Sequence, residues 1–284
     1  MILLSEDGKT LQEISSWEDI ITRPGYHSKV NSKEIKLKSV IGKYRITPKQ
    51  PCGISSCGSK HNKGYLVVCE NGIETNIGNK CGLNIFGINF TELENRFNTD
   101  TNALRYRDKI KEYQNRYSHY EDTIHSLKNG EKQGLWCYEK MHWFMTKGFE
   151  EKTLNALKQK AKIKENGIFQ LRQFDSREIE LAREAGSYDT NERIRIATLS
   201  SINAVTDYKK LKPLLKDRLG KEFEVFKTLK ADDREYDDLK YWNNWANRLD
   251  LRVQEAKKII VDCTNFLNEH NITEIRKYKT HLPN

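Results

Sequence analysis

The sequence lacks any apolar stretch that approaches the length of about 18 residues needed for a membrane-spanning helix. Its first residues, MILLSED, have neither the basic start nor the long apolar core of a signal peptide. We therefore expect a cytoplasmic protein without membrane contact. Because disulfides are rare in a reducing compartment, the six cysteines are expected to be metal ligands or buried thiols.

Signatures of the common enzyme classes are also missing. The chain contains no phosphate-binding loop, nucleophile elbow, protein-kinase motif set or paired-acid signature. Its acidic residues and histidines lie in charged helical segments, where solvation is sufficient to explain them. The sequence therefore favours a binding protein over an enzyme.

Apolar residues are scarce, at 37%, whereas charged residues reach 31% and aromatic residues 10%. This composition is too aromatic for a disordered chain and is typical of helices with narrow apolar seams. The formal net charge is +9, with an isoelectric point near 9.1. Such a charge indicates an acidic partner, and nucleic acid is the simplest one.

Cysteine is concentrated in one short segment, 51–87, which holds four of the six cysteines and one of the seven histidines. Gly53 and two serines between Cys52 and Cys57 allow a tight turn with both thiolates on one side. We predict a zinc site with four ligands and one reserve: Cys52, Cys57, His61 and Cys81, with Cys69 in reserve. Cys69 is the reserve because a cysteine in a regular strand is often simply buried.

A hairpin is predicted inside the same segment. Apolar residues 65–68 form one arm, Asn71-Gly72 suggests a type I′ turn, and Ile73, Thr75 and Ile77 form the other arm. Cys81 follows at the start of a predicted short helix. The order of cysteine turn, hairpin and helix-borne cysteine over 52–86 resembles a treble-clef or zinc-ribbon finger, although four residues instead of two lie between the first two cysteines. The resemblance implies a structural zinc ion and a role in binding nucleic acid or protein.

A basic run leads into this segment, with seven Lys or Arg against the single acid Glu34 between Lys29 and Lys49. The alternation of lysines with apolar residues over 35–46 predicts one or two strands that pair with the hairpin. Because a metal would hold the neighbouring backbone rigid, we expect basic side chains here to contact phosphates. The expected contacts are Lys36, Lys38, Lys43, Arg45, Lys60, Lys63 and Lys80.

Beyond residue 98 the pattern is helical. Apolar and tyrosine residues recur alternately three and four apart from Ala103 to Leu127, and again from Leu239 to Leu267. We predict a mainly α protein with a small β zinc-binding module and an elongated helical bundle or coiled-coil-like body. The predicted domains are a basic, zinc-binding region over 1–98 and a helical region over 99–284. The seams allow pairing within one chain, with a protein partner or between two copies.

Two functions fit these patterns. In the first, the zinc-stabilised basic region binds DNA or RNA, and the helical body sets spacing or contacts a partner. In the second, the finger and the helices form a protein-interaction adaptor, and the positive charge serves solubility. The sequence favours the first because the basic run adjoins the cysteine segment directly.

Overall fold

The computed structural model describes residues 2–7 and 9–282, which form a mainly helical protein with a small antiparallel sheet. The chain divides into two compact units. The first unit comprises Met1–Tyr113 and Lys230–Asn244, and the second comprises Gln114–Leu229 and Trp245–Asn284. No described helix is long and apolar enough to cross a membrane.

The first unit is built on a five-stranded antiparallel sheet in the order β2-β1-β3-β4-β5. Its strands are β1 Ile2–Leu4, β2 Gln12–Ile14, β3 Leu37–Pro51, β4 Lys60–Cys69 and β5 Glu74–Gly78. The strands predicted over 35–46 and the hairpin are therefore confirmed. The short helix α1, Glu18–Ile21, and the long helix α2, Asn79–Gln114, complete the main elements of this unit.

Apolar side chains are buried on both faces of this sheet. One cluster includes Val67, Ile77, Phe90 and Phe97 and packs the sheet against α2. The other cluster lies on the opposite face and includes Ile2, Ile20, Ile41, Tyr44 and Leu66. Burial on both faces holds β4 in one register, because a slip by one residue would exchange its two faces.

The hairpin turn differs from the predicted type I′ turn. Cys69 donates its N–H to the Ile73 carbonyl at 2.8 Å, and Gly72 donates to the Cys69 carbonyl at 2.9 Å. Within this loop only Gly72 has a positive φ, of 83°. The connection is thus a three-residue loop with a type I turn followed by a left-handed glycine, which is the next most common hairpin solution.

The second unit is mostly helical. Its elements from 117 to 228 are α3 Tyr117–Lys128, α4 Gly134–Trp143, α5 Glu151–Lys162, β6 Gly167–Gln173, α6 Ser176–Glu184, β7 Asn191–Thr198, α7 Ala204–Lys212 and α8 Glu222–Thr228. Helices α10 Leu249–Phe266 and α11 Glu269–Lys277 end the described elements, whereas α9, Tyr236–Ala246, falls mostly in the first unit. Two segments, Phe144–Gly148 and Pro213–Lys221, are π-helical.

The first predicted seam is not one helix. Helix α2 begins at Asn79, bends at Gly87 (φ 56°) and ends at Gln114, and α3 begins only at Tyr117. Gln114 donates its side-chain amide to the carbonyls of Phe226 and Leu229, both at 2.8 Å. The spacing of apolar residues predicted the buried face, but it carries no information on where the chain changes its packing partner.

The second predicted seam is also interrupted, between α9 and α10. Most of its residues are nevertheless buried as expected, including Leu239, Val253, Ile260 and Cys263, and only the terminal Leu267 is half-buried. Helix α10 packs chiefly against α7 and α4, and it contacts the first seam through α3, where the Tyr120 hydroxyl donates to Asp250 at 2.8 Å. The predicted coiled-coil-like body is therefore not confirmed, because each broken seam is covered by several short helices.

A β-ribbon replaces part of the predicted helical region. Strands β6 and β7 pair antiparallel, with Phe169 opposite Arg195. The Arg193 guanidinium lies 4.2 Å from the Phe169 ring centroid, at cation–π distance. The helical prediction from residue 188 was wrong here because the sequence Arg193-Ile194-Arg195-Ile196 alternates with the period of a strand.

The difference in burial between two valines of α10 predicts a difference in stability between their alanine variants. Val253 is 5% exposed and Val261, on the same helix, is 56% exposed. We expect Val253→Ala to lower the free energy of unfolding by about 2 kcal/mol, because it removes two buried methyl groups and leaves a cavity. Val261→Ala is the matched control and should change the stability by less than about 0.5 kcal/mol. Equal losses in urea unfolding would contradict the described burial.

Candidate metal centre

Three cysteines, two in one turn and one at the start of α2, converge at one end of the sheet. Cys52 follows β3, Cys57 lies in the turn before β4, and Cys81 lies in the first turn of α2. Their sulfur atoms all lie within 4.8 Å of one another, and the sulfurs of Cys57 and Cys81 are 2.8 Å apart. A tetrahedral ion with metal–sulfur bonds of about 2.3 Å separates its sulfur ligands by about 3.8 Å. These three cysteines can therefore hold a metal ion.

The turn that carries Cys52 and Cys57 is held against β5 by close backbone contact. Gly53 donates its N–H to the Asn76 carbonyl at 2.8 Å. A Cβ atom at Gly53 would lie 2.0 Å from Thr75 Oγ1 and 2.9 Å from the Asn76 carbonyl oxygen. Only glycine permits this approach, which brings the cysteine turn beside the strand that leads to Cys81.

Asn76 is the polar centre of this contact and is 1% exposed. Its side-chain amide donates to the Pro51 carbonyl at 2.8 Å and to the Tyr44 hydroxyl at 3.1 Å. Its side-chain oxygen accepts a hydrogen bond from the Tyr26 hydroxyl at 2.7 Å. Since all these groups find partners, the network fixes the position of the turn without leaving Asn76 unsatisfied.

His61 lies next to this cluster without belonging to it by distance. Its ring nitrogens are not within 4.8 Å of all three sulfurs. The ring packs on Gly78, where an added Cβ would lie 3.0 Å from Nε2. Nδ1 is 2.9 Å from the Tyr44 hydroxyl. Nε2 is buried and has no hydrogen-bond partner among residues 2–7 and 9–282.

The reserve ligand Cys69 lies outside the cluster. It ends β4 next to the hairpin turn, is 0% exposed, and belongs to the core cluster between the sheet and α2. Burial raises the pKa of its thiol. The remaining cysteines, Cys137 and Cys263, are both 0% exposed in the second unit.

The three clustered thiols differ in acidity. Burial raises the pKa of Cys57, but hydrogen bonds with Cys81, Ser59 and Cys52 outweigh this effect and lower the pKa to about 7. Burial, followed by the hydrogen bond with Cys57, raises the pKa of Cys81 to about 12. Burial also raises the pKa of Cys52. The metal-free cluster therefore supplies one thiolate near neutral pH, and a bound cation would displace the other protons.

The order of a cysteine turn, a hairpin and a helix-borne cysteine is thus present in the folded chain. No family model, curated protein or solved structure matches the sequence.

Several predicted basic contacts lie at the metal end of the sheet. Arg45 of β3 and Lys63 of β4 are directly paired, and both are exposed. The next residue, Gly64, pairs with Gly78, and Lys80 follows shortly after in α2. Lys60 opens β4 beside Ser59, whose carbonyl accepts the Cys52 N–H at 2.8 Å. We call Arg45, Lys60, Lys63 and Lys80 the metal-end basic group.

Of the other predicted contacts, Lys36 and Lys38 are separated from this group along the chain, whereas Lys43 is two residues from Arg45 on the same face of β3. Lys43 donates to Asn98 of α2 at 3.0 Å and lies 5.5 Å from the Tyr65 ring centroid. Lys36 and Lys38 are exposed near the opposite end of the strand, where Leu37 pairs with Cys69. The seven residues therefore do not form one continuous patch.

Sequence reasoning missed the residues that position the cysteines, above all Asn76 and Tyr44. The available signal was an asparagine next to Ile77 in the predicted second arm of the hairpin, a place where a buried amide needs several partners. Those partners come from three distant segments, so the spacing along the chain does not reveal them.

The cluster predicts which cysteines control metal content. We expect Cys81→Ala to abolish stoichiometric, tightly bound metal, because it removes one of three converging sulfurs. Cys69→Ala is the control, and we expect it to retain the wild-type metal content while lowering stability through lost packing. Metal analysis of protein purified in reducing buffer measures both. Loss of metal from Cys69→Ala alone would contradict this assignment.

The pKa order predicts selective alkylation in chelator-treated protein. Because iodoacetamide attacks thiolates and Cys57 has a pKa of about 7, its labelling should rise to half its maximal rate near pH 7. Cys81, with a pKa of about 12, should react far more slowly at that pH. Mass spectrometry of peptides labelled between pH 6 and 9 measures both rates. Faster labelling of Cys81 than of Cys57 would refute the assigned order.

Proposed function

We propose that the first unit is a zinc-stabilised nucleic-acid-binding module. The observation that carries this proposal is the convergence of three cysteine sulfurs at the sheet end that also carries the metal-end basic group. Thiolates are soft ligands that favour zinc, and a tetrahedral site that is closed by protein ligands stabilises a fold without taking part in chemistry.

His61 is the proposed fourth ligand. Its Nε2 atom is buried without a hydrogen-bond partner among the described residues, a state that a metal bond would relieve. Burial lowers the pKa of His61, which favours the neutral form that metals require. With Nε2 on the metal, Nδ1 would donate its proton to the Tyr44 hydroxyl, the usual outer partner of a ligating histidine. This set corresponds to the treble-clef-like arrangement expected from the sequence.

Nucleic acid is the proposed partner of the metal end. Arg45 and Lys63 face the same side of the sheet because directly paired residues share a face. Both side chains are exposed cations, and a phosphate backbone attracts such cations. The metal below them would keep the supporting backbone rigid and so lower the entropy cost of each phosphate contact.

A protein-interaction adaptor is the second candidate, and one observation favours it. Leu83 and Ile88, close to Cys81 in α2, are 55% and 78% exposed. Contiguous apolar patches on a surface mark protein-interaction sites, and we propose that these two side chains contribute to one. These residues lie beyond the metal-end basic group in the chain, so the two candidates can be tested with separate variants.

Charge reversal tests the nucleic-acid proposal. We expect Arg45→Glu/Lys63→Glu to weaken binding of a DNA or RNA oligonucleotide at least about tenfold at moderate salt and to reduce the salt dependence of binding. Lys36→Glu/Lys38→Glu carries the same charge change on the same sheet and should have a clearly smaller effect. Fluorescence anisotropy at several salt concentrations measures affinity, and zinc analysis verifies the metal site.

Equal losses from the two double variants would show that net charge, not the metal end, determines binding. A wild-type protein that holds zinc but shows no nucleic-acid binding at low salt would contradict the proposal. A defined partner whose binding is lost in Leu83→Ser/Ile88→Ser and retained in Arg45→Glu/Lys63→Glu would establish the adaptor instead.

A further inference from the structure

The second unit contains a groove of about 1110 Å³ that the metal site does not explain. Residues of α4, α5, α7 and α10 line it, together with the chain just after α5. Six lysines from these elements reach the groove: Lys158, Lys162, Lys164, Lys209, Lys212 and Lys258. They are all exposed.

The positive charge of this groove is not balanced locally. None of the six lysines forms an ion pair with any residue that the structure describes. Asp207 is the one carboxylate among the described lining residues, and it pairs with Lys210 at 2.9 Å. A concave surface lined by charge of one sign focuses its electrostatic potential, so this groove attracts anions.

Aromatic rings lie among these charges. The rings of Tyr138 and His142 are stacked, with an interplanar angle of 9° and centroids 5.8 Å apart. Lys212 Nζ is 5.5 Å from the Tyr138 centroid, and the Tyr208 ring is 6.0 Å from it. His142 is exposed, so a planar group can extend the stack from the groove. Phosphate-binding cations next to a stacking surface are the combination that single-stranded nucleic acid requires.

We propose that this groove binds single-stranded nucleic acid, with the lysines on the phosphates and a base stacked on the Tyr138–His142 pair. Unpaired bases expose the faces that such stacking needs, whereas a duplex hides them. A membrane surface is a poorer fit because the charge lies in a concave groove between helices and not on a flat face. The site uses no residue of the first unit and so goes beyond the metal-end module.

Lysine footprinting tests the location directly. The full-length protein is acetylated with and without a single-stranded oligonucleotide of about 12 nucleotides, a length within the site sizes of such grooves. We expect at least fivefold protection of Lys158, Lys209, Lys212 and Lys258. Lys152 on α5 and Lys257 on α10 do not line the groove and should remain reactive.

Affinity is measured in the Arg45→Glu/Lys63→Glu background, which removes the proposed contribution of the first unit. Adding Lys158→Glu/Lys258→Glu should weaken single-strand binding at least about tenfold and lower the salt slope by about 1.4, or about 0.7 for each lost phosphate contact. Lys152→Glu/Lys257→Glu places the same charge change on the same two helices and should alter affinity less than twofold. Circular dichroism verifies that each variant is folded.

The role of stacking has its own test. His142→Ala should weaken single-strand binding about fivefold or more, since a stacked base contributes about 1 to 3 kcal/mol, and His142→Phe should restore it. A duplex of equal length should bind more weakly than the single strand, and inorganic triphosphate should compete poorly.

Equal losses of affinity in the groove and control variants would overturn the proposal, and so would a lack of protection at the groove lysines. It is also overturned if triphosphate displaces the oligonucleotide as well as unlabelled single strand does. Protection at Lys60 and Lys63 without groove protection would refute this inference and leave the metal-end proposal in place. Groove protection without any effect of Arg45→Glu/Lys63→Glu would support the groove and refute the metal-end proposal.

Discussion

The architecture of the first unit depends on the contact between the cysteine turn and strand β5. Gly53 approaches Thr75 and Asn76 so closely that no side chain fits at residue 53. The buried Asn76 amide donates hydrogen bonds to the Pro51 carbonyl and to the Tyr44 hydroxyl. This contact places Cys52 and Cys57 beside the point where β5 becomes α2. The sulfur of Cys81 therefore lies 2.8 Å from that of Cys57, although the two residues are 24 positions apart in the chain. Without a fixed turn, the three thiols would have no common position for a metal.

The same contact places the candidate metal site close to basic side chains. The turn is anchored between β3 and β4, and these two strands carry the paired Arg45 and Lys63. A metal that stiffens the turn thus stiffens the backbone below these cations. In the second unit a different principle operates, because the lysines of its groove are carried by three helices, α5, α7 and α10, and by the chain just after α5. Rigid helices offer a preformed surface without any ion.

The helical regions show which part of a pattern is informative. The three-and-four spacing of Leu239, Val253, Ile260 and Cys263 predicted a buried face, and all four side chains are buried. It did not predict the breaks at residues 115–116 and 247–248, because a short interruption keeps the same face buried. The strand period of Arg193-Ile194-Arg195-Ile196 was present in the sequence, yet it was outweighed by the helical character of its surroundings.

The sequence by itself determined the small sheet, the hairpin, the mainly helical remainder and the presence of Cys52, Cys57 and Cys81 in one short segment. It could do so because strand period, turn residues and cysteine density are local properties of the chain. Only the tertiary structure decided that Cys69 is buried apart from the cluster, that Lys36 and Lys38 lie away from Arg45 and Lys63, and that six lysines of the second unit share one groove. Those arrangements depend on strand register and helix packing. Both bring together residues that are far apart in the chain, so the spacing of residues along the sequence does not predict them.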